Sequence, residues 1–229
     1  MRNIQAIFIK QLQSYVKKPQ SYGVPLMLLG LALIFSLLVS DQYPWEFSNM
    51  FSPVFMGMGM VGTASACIWE DKLTMNLRFM SMAGVRPTQY LIGTGGALIV
   101  VAAVVLVLFG AIGRYSFSEL IVYLSLGILG ATTAVILGVT LALAPPKFMP
   151  VAQAVPFILA FAPMLSDANE TIAEIFYFIF TRQIQLALNG MMEYGLDVTR
   201  SFYIVLANMG IVLLAFIIMH RKNGLEGQE

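Results

Sequence analysis

Long apolar runs alternate with short polar segments along the chain, and six of these runs approach the length of a membrane-spanning helix. A helix needs about 20 apolar residues to cross a hydrocarbon core about 30 Å thick. The pattern therefore predicts one all-α, polytopic membrane domain over 1–229. Its six transmembrane helices are expected at residues 22–40, 50–69, 90–113, 120–144, 151–166 and 201–219. The fifth run carries Pro156 and Pro163, which remove backbone donors, so a broken or tilted helix is expected there.

The segment 167–200 lies between the last two runs and does not fit a seventh span. Its apolar core, residues 175–180, is too short to cross a bilayer. Polar side chains surround this core, namely Glu174, Arg182, Gln183 and Gln185. We predict that the segment is extracellular and re-entrant, so that it enters the bilayer part-way and returns against protein.

Composition and charge agree with a membrane protein and predict its orientation. Hydrophobic residues make up 59% of the chain and charged residues only 11%, whereas roughly a quarter of the residues in a soluble domain are charged. With six spans and cytoplasmic termini, only Arg114, Arg182 and Arg200 of the 13 cations lie outside. This distribution follows the positive-inside rule. We predict a multi-pass protein of the plasma membrane whose N- and C-termini are both cytoplasmic.

The N-terminal residues 1–20 have helical periodicity. Apolar and aromatic side chains share one face, namely Ile4, Ile7, Phe8, Leu12, Tyr15 and Val16. Cationic and polar side chains occupy the other face, and Pro19 ends the pattern. The pattern predicts an interfacial helix along the inner leaflet. Whether it serves only as an anchor or also has a mechanical role stays open.

The polar segment 70–89 between spans two and three is the least usual part of the sequence. It predicts a short cytoplasmic helix over residues 74–82, with flanking signals at both ends. Before the helix, Glu70 and Asp71 mark the end of span two, and Asp71 or Thr74 is a candidate N-cap. After it, Gly84 suits a left-handed conformation, and Pro87 suits the first residue of the next helix.

The short helix is apolar on two faces. One face is expected to hold Leu73, Leu77 and Met80, and the opposite face Met75, Phe79 and Met82, with Arg78 between them. The flanking spans cannot cover both faces, so one face predicts a partner protein, and methionine suits a surface that adapts to it. The alternative is a loop helix that lies in the lipid interface.

Several functional classes lack their residues. The chain has no P-loop pattern, a single histidine (His220) and a single cysteine (Cys67), which excludes an internal disulfide and a cysteine-based metal cluster. No Asp or Glu falls inside the predicted spans, so no proton relay is indicated. The net charge is +1 without a basic run, so no nucleic-acid partner is expected. We expect neither a catalytic nor a metal site.

Small residues spaced four apart recur within the predicted spans. The pairs are Gly62 with Ala66, Gly93 with Ala97, Gly127 with Ala131, and Gly138 with Ala142. Such pairs let helix backbones approach closely in a membrane, so tight helix packing is expected at these positions.

The whole arrangement resembles that of the ABC-2 type permeases, the membrane subunits of ATP-binding-cassette exporters. The most specific match is the stretch WEDKLTMNLRFMSMAGVRPTQYLIG, residues 69–93. It is similar to the family pattern of an acidic residue ending span two, a threonine, a Leu/Arg-rich turn, a small residue and a polar step into span three. These roles would fall on Glu70, Thr74, Leu77, Arg78, Gly84 and Tyr90. A weaker match precedes the last span, where this chain has Thr181 in place of the family's usual proline.

The resemblance implies that the short helix is a coupling helix, seated in a groove of a separate ATPase subunit that binds ATP and Mg. No cofactor is expected in this chain. The residues implied in coupling are Glu70, Asp71, Thr74, Leu77, Arg78, Phe79 and Gly84. A second permease subunit, identical or different, is also implied, because one six-span subunit is half a membrane unit in this family.

Spans two and five commonly face the central pathway in such dimers. The resemblance therefore nominates Phe51, Phe55, Met58 and Thr63 from span two, and Gln153, Phe157 and Phe161 from span five. Aromatic and thioether side chains suit an amphipathic or hydrophobic cargo, such as a peptide, a drug or a lipid-linked glycan. Ordinary helix packing explains each of these residues equally well.

Three other functions stay open from the sequence. The first is a non-transporting scaffold or immunity protein that binds a peptide or a membrane partner. A secondary carrier comes next, and it would depend on an ion gradient instead of ATP. An intramembrane enzyme is last, because the catalytic residues it needs are missing.

Overall fold

A computed structural model describes residues 2–17, 19–38, 44–145, 148–194 and 198–223. All regular secondary structure in these ranges is helical, which confirms the predicted all-α fold. The helices are α1 (Arg2–Lys17), α2 (Pro19–Leu38), α3 (Pro44–Val54), a π-helical segment (Phe55–Met60), α4 (Val61–Leu73), α5 (Asn76–Met82), α6 (Pro87–Ile112), α7 (Phe117–Ala142), α8 (Met149–Ala168), α9 (Glu170–Phe176), α10 (Phe180–Tyr194) and α11 (Thr199–Asn223).

Five helices of the described residues are long and apolar enough to cross a membrane. They cover Trp45–Leu73, Pro87–Gly113, Phe117–Ala142, Pro150–Ala168 and Thr199–Arg221. Each contains most of one predicted apolar run. The remaining run, 22–40, falls on α2, whose shorter apolar part is Gly23–Leu38, and its last two residues lie outside the described ranges.

The span from Trp45 to Leu73 is continuous through α3, the π-helical segment and α4. A Cβ atom at Gly57 would lie 2.6 Å from the backbone nitrogen of Ala160 in α8, so only glycine allows these two backbones to approach. The π-helical segment therefore packs directly on the middle of α8. The sequence pattern did not predict this departure from α-helical geometry.

Close helix packing at the predicted small residues is confirmed at three of the four pairs. A Cβ atom at Gly138 would lie 2.5 Å from the Val61 carbonyl oxygen, so α4 and α7 touch backbone to backbone. Gly127 faces the Leu106 side chain, and Gly93 faces Ile7. The prediction is wrong for Gly62, where a Cβ atom would meet nothing within 4 Å.

Helix α1 packs part of its apolar stripe on the chain itself. A Cβ atom at Gly93 of α6 would lie 2.8 Å from Ile7 Cγ2, and Phe8 lies against Gly96. Ile7 is consequently buried. The predicted end of the helix holds, since α1 ends at Lys17 and α2 begins at Pro19. The periodicity predicted this stripe, and α6 covers the part of it that contains Ile7 and Phe8, whereas Val16 is exposed.

Helix α8 runs unbroken through Pro156 and Pro163, contrary to the expected break. Proline at 163 cannot donate to the Leu159 carbonyl four residues earlier. The fully buried hydroxyl of Thr181 in α10 donates to that carbonyl instead, at 2.8 Å. Thr181 therefore supplies the hydrogen bond that Pro163 cannot make.

Residues 167–200 contain two helices, α9 and α10, joined by a turn at residues 177–179. Thr181 reaches the middle of α8, and Ile184 lies against Gly130 at the middle of α7. The amino-terminal end of α10 is therefore buried halfway along its neighbouring helices.

Arg182 lies in this buried part of α10, and its positive charge is paired there. Arg182 donates through Nη1 to Asp167 Oδ1 at 2.6 Å and to Gln185 Oε1 at 2.7 Å. Gln185 Nε2 donates to the other Asp167 oxygen at 3.0 Å. Charge-assisted bonds of this kind tie α10 to the end of α8.

Candidate functional site: the segment between α4 and α6

Helix α4 continues past the predicted exit of span two and ends at Leu73. A left-handed turn follows, with Met75 at φ 57°, and α5 begins at Asn76 instead of residue 74. Thr74 Oγ1 donates to the Glu70 carbonyl at 2.7 Å and so helps to close α4. The predicted N-cap is wrong, because Asp71 lies inside α4 and Thr74 ends that helix.

The predicted exit from α5 is confirmed. Gly84 has φ 77°, the left-handed conformation in which glycine carries no steric cost. Pro87 is the first residue of α6, where its missing N–H has no helical partner to lose. The Arg86 amide donates to Gln89 Oε1 at 3.2 Å, which closes the first turn of α6.

The two faces of α5 have different surroundings. Leu77 is only 8% exposed, and Met80 packs against the same core. Met75, Phe79 and Met82 are 57%, 62% and 70% exposed. The placement of Leu73 with the packed face is wrong, since it is exposed beside the other three. We call Leu73, Met75, Phe79 and Met82 the exposed surface.

Asp71 joins three helices through one buried carboxylate. Its Oδ2 accepts a 2.7 Å hydrogen bond from the Tyr90 hydroxyl of α6, and its Oδ1 accepts a 3.1 Å bond from Asn76 Nδ2 of α5. Asp71 is 9% exposed and Tyr90 is buried as well. The sequence analysis placed Asp71 at the exit of span two, as a candidate N-cap and among the coupling residues, but it did not predict that the carboxylate is buried.

Lys72, the next residue, contacts the end of α7. Its Nζ donates to the Ala142 carbonyl at 2.7 Å, and it lies 5.5 Å from the centre of the Trp69 ring. Ala142 is the last residue of α7, where carbonyl groups lack helical donors and the helix dipole favours a cation. Lys72 thereby caps α7.

Helix α1 completes the site. A cleft of about 90 Å³ lies between α1 and the α4–α5 junction, lined by Lys10, Gln11, Ser14, Tyr15, Cys67, Glu70, Asp71 and Asn76. Gln11 Nε2 donates to the Cys67 sulfur at 3.1 Å. Burial, and then the neighbouring Cys67, raises the pKa of Tyr15 to about 12. The neutral phenol is therefore the form that this packing favours.

The remaining coupling residues, Glu70 and Arg78, have exposed side chains on this segment. The seven residues nominated for coupling thus fall into three groups. Phe79, Arg78 and Glu70 lie outside, Leu77 and Asp71 lie inside, and Thr74 and Gly84 shape the turns.

The residues nominated for a cargo pathway differ in their exposure to solvent. Phe51 and Phe55 are buried in the subunit core, where Phe55 lies 6.1 Å from the Phe109 ring centre. Met58 and Thr63 are partly buried. Gln153, Phe157 and Phe161 are exposed on α8. Among the described residues, no group of three or more His, Cys, Asp or Glu side chains is placed to hold a metal ion.

No protein-family model matches the chain, and no curated protein matches it significantly.

Proposed function

We propose that this chain is the membrane-spanning permease subunit of an ATP-binding-cassette exporter of the ABC-2 type. In this proposal a separate subunit binds ATP and Mg and supplies the energy. The cargo is amphipathic or hydrophobic and moves outward. Two permease subunits and two ATPase subunits form the complex, which lies in the plasma membrane with both permease termini in the cytoplasm.

The observation that carries the proposal is the exposed surface of the segment between α4 and α6. Four large apolar side chains lie there together, although the opposite face of α5 already packs on the chain's own core. Arg78 is exposed on the same short helix. A helix that presents apolar anchors around one cation suits a groove in a partner protein, and is a poor match for bulk water.

A common cytoplasmic end supports the proposed orientation. Contacts bring α1, the end of α4, α5, the start of α6 and the end of α7 to one end of the bundle. Lys10, Lys72, Arg78 and Arg86 belong to these elements, as the positive-inside rule requires of the cytoplasmic side.

Six spans are proposed by adding α2 to the five long apolar helices. At 20 residues, α2 is long enough to cross about 30 Å at 1.5 Å per residue. The α9–α10 segment then serves as the re-entrant segment. The burial of the start of α10 against the middle of α7 and α8, with Arg182 neutralised by Asp167, supports this assignment.

The exposed face of α8 is the part of the proposed pathway that a single chain leaves open. Phe157 and Phe161 lie there with Gln153, so these three are assigned to cargo contact or to the second subunit. Phe55 serves helix packing within the subunit, where it is fully buried.

Affinity purification from native membranes tests the central proposal. The tagged wild-type chain should retain an ATPase that carries a P-loop, and Phe79→Asp should lose it, since a carboxylate cannot enter an apolar groove without a large desolvation cost. Thr88→Asp is the matched control, because it places the same charge on an exposed position of the same segment outside the exposed surface. Leu77→Asp would not discriminate, since Leu77 is buried in the chain's own core.

Retention of the ATPase by Phe79→Asp would refute the docking surface. A wild-type chain that binds a membrane partner but moves no cargo in proteoliposomes with ATP would favour the scaffold or immunity function instead.

A further inference from the structure

If α5 docks on an ATPase subunit as proposed, α5 is a lever that must pass its displacement to the spans across the connection between α4 and α5. Helical hydrogen bonding is interrupted at the Met75 turn, where a non-glycine residue has φ 57°. Such a conformation costs free energy and persists only where its surroundings impose it. Leu77 and Met80 pack one face of α5 on the core, and polar contacts across the turn would further keep a load on α5 from rotating it there.

Asp71 supplies the bridge from α5 to α6. It precedes the turn, while Asn76 follows it, so the Asp71–Asn76 bond spans the interruption directly. The second carboxylate oxygen accepts from Tyr90, in the first turns of α6. Both oxygens are used within a buried environment, where hydrogen bonds to a charged group are stronger than neutral ones and costly to lose.

Lys72 supplies the bridge from α4 to α7. Its ammonium group reaches the last carbonyl of α7, at 2.7 Å. The same two helices also touch at Gly138, one turn earlier in α7. Asp71 thus connects α5 to α6, and the adjacent Lys72 connects α4 to α7.

We propose that Asp71 and Lys72 are positioning residues. Asp71 fixes α5 to α6, and Lys72 fixes α4 to α7. A displacement of the exposed surface therefore moves three spans together. That a partner subunit pushes on α5 rests on the proposed function. The rigidity of the connection between α4, α5 and α6 does not depend on it.

Distances between spin labels in the isolated chain test the rigidity. In a Cys67→Ser background, labels replace Met82 on α5 and Val104 on α6, which are both exposed. The starting chain in lipid nanodiscs should give one narrow distance. Asp71→Asn and Tyr90→Phe should lose that single distance, because α5 then swings about the Met75 turn. Glu174→Gln and Tyr203→Phe make the same chemical changes at exposed positions and should retain it.

A second label pair separates positioning from a general loss of structure. Labels at Val104 and Ile211, on α6 and α11, should keep their narrow distance in every variant. Asn76→Ala removes only the bond across the turn and leaves the α6 contact, so it should broaden the Met82 distance even if Tyr90→Phe does not fold. Narrow Met82 distances in Asp71→Asn and Asn76→Ala would overturn the proposal.

The outcome is independent of the proposed function. The labelled chain contains no ATPase subunit, so a failed purification of such a subunit with the wild type leaves this measurement valid. Conversely, a flexible junction in the wild type would overturn the positioning role while leaving ATPase docking at Phe79 intact.

Discussion

Removing the Thr181 hydroxyl should destabilise the fold through a carbonyl on a different helix. Thr181→Val keeps the shape of the side chain and deletes the donor to the Leu159 carbonyl. That carbonyl cannot recover a helical partner, because residue 163 is proline. An unsatisfied buried acceptor costs about 1–3 kcal/mol, and side-chain bonds between membrane helices reach about 1.7 kcal/mol, so we expect a loss of about 1–2 kcal/mol.

Thr133→Val is the matched control. Thr133 is also fully buried, and its hydroxyl donates to the Leu129 carbonyl at 2.9 Å. That carbonyl lies four residues earlier in the same uninterrupted helix and keeps its backbone donor. The same chemical change should therefore cost much less at position 133 than at position 181. The free energy of unfolding can be measured in mixed detergent micelles by the fluorescence of the chain's two tryptophans.

A double-mutant cycle with Pro163→Ala isolates the cause. Alanine restores a backbone N–H that donates to Leu159, so Thr181→Val should cost almost nothing in this background. A coupling free energy of about 1 kcal/mol between positions 163 and 181 is expected. Equal costs of Thr181→Val in the two backgrounds would refute the idea that Thr181 repairs the bond removed by proline.

Three further predictions follow from packing, charge and titration. Gly138→Ala should destabilise the fold by about 1–3 kcal/mol in thermal unfolding, because its methyl group meets the backbone of α4, whereas Gly62→Ala should be neutral or slightly stabilising. Asp167→Asn should destabilise more than Arg182→Met in the same assay, since it strands a nearly buried cation, while the carboxylate left by Arg182→Met is half-exposed to water. Because the pKa of Tyr15 is raised, its contribution to folding stability is complete below pH 10 and is lost as the pH rises through about 12. Tyr15→Phe should therefore reduce the loss of stability over that range, and an unchanged pH profile would contradict this prediction.

Local signals in the sequence predicted the elements of the site, but they could not predict its long-range contacts. Gly84 and Pro87 locate the end of α5 and the start of α6, because backbone conformation and a missing N–H act on neighbouring residues. The two-sided apolar pattern of α5 also indicated that one face would remain exposed. Such features depend on spacings of a few residues, which a single sequence displays.

The features that were missed all depend on distant partners. Asp71 is buried because Tyr90 donates to it, and a charge at the end of an apolar run gives no sign of this. Thr181 contacts a carbonyl 22 residues earlier, and only the position of Pro163 makes that carbonyl available. The spacing of Gly62 is the same as that of Gly138, but only Gly138 faces another helix.

The seat of α1 on α6 has a consequence for how the protein is made. Asn3 bonds to Gln89, which follows it by 86 residues, so the first helix leaves the ribosome well before its binding surface exists. At about 5–20 residues per second, the interval is on the order of ten seconds. During that time we expect the amphipathic α1 to adsorb to the membrane surface. Its packing on Gly93 and Gly96 then requires a transfer from headgroups to α6, and we expect a bulky side chain at either glycine to block that packing.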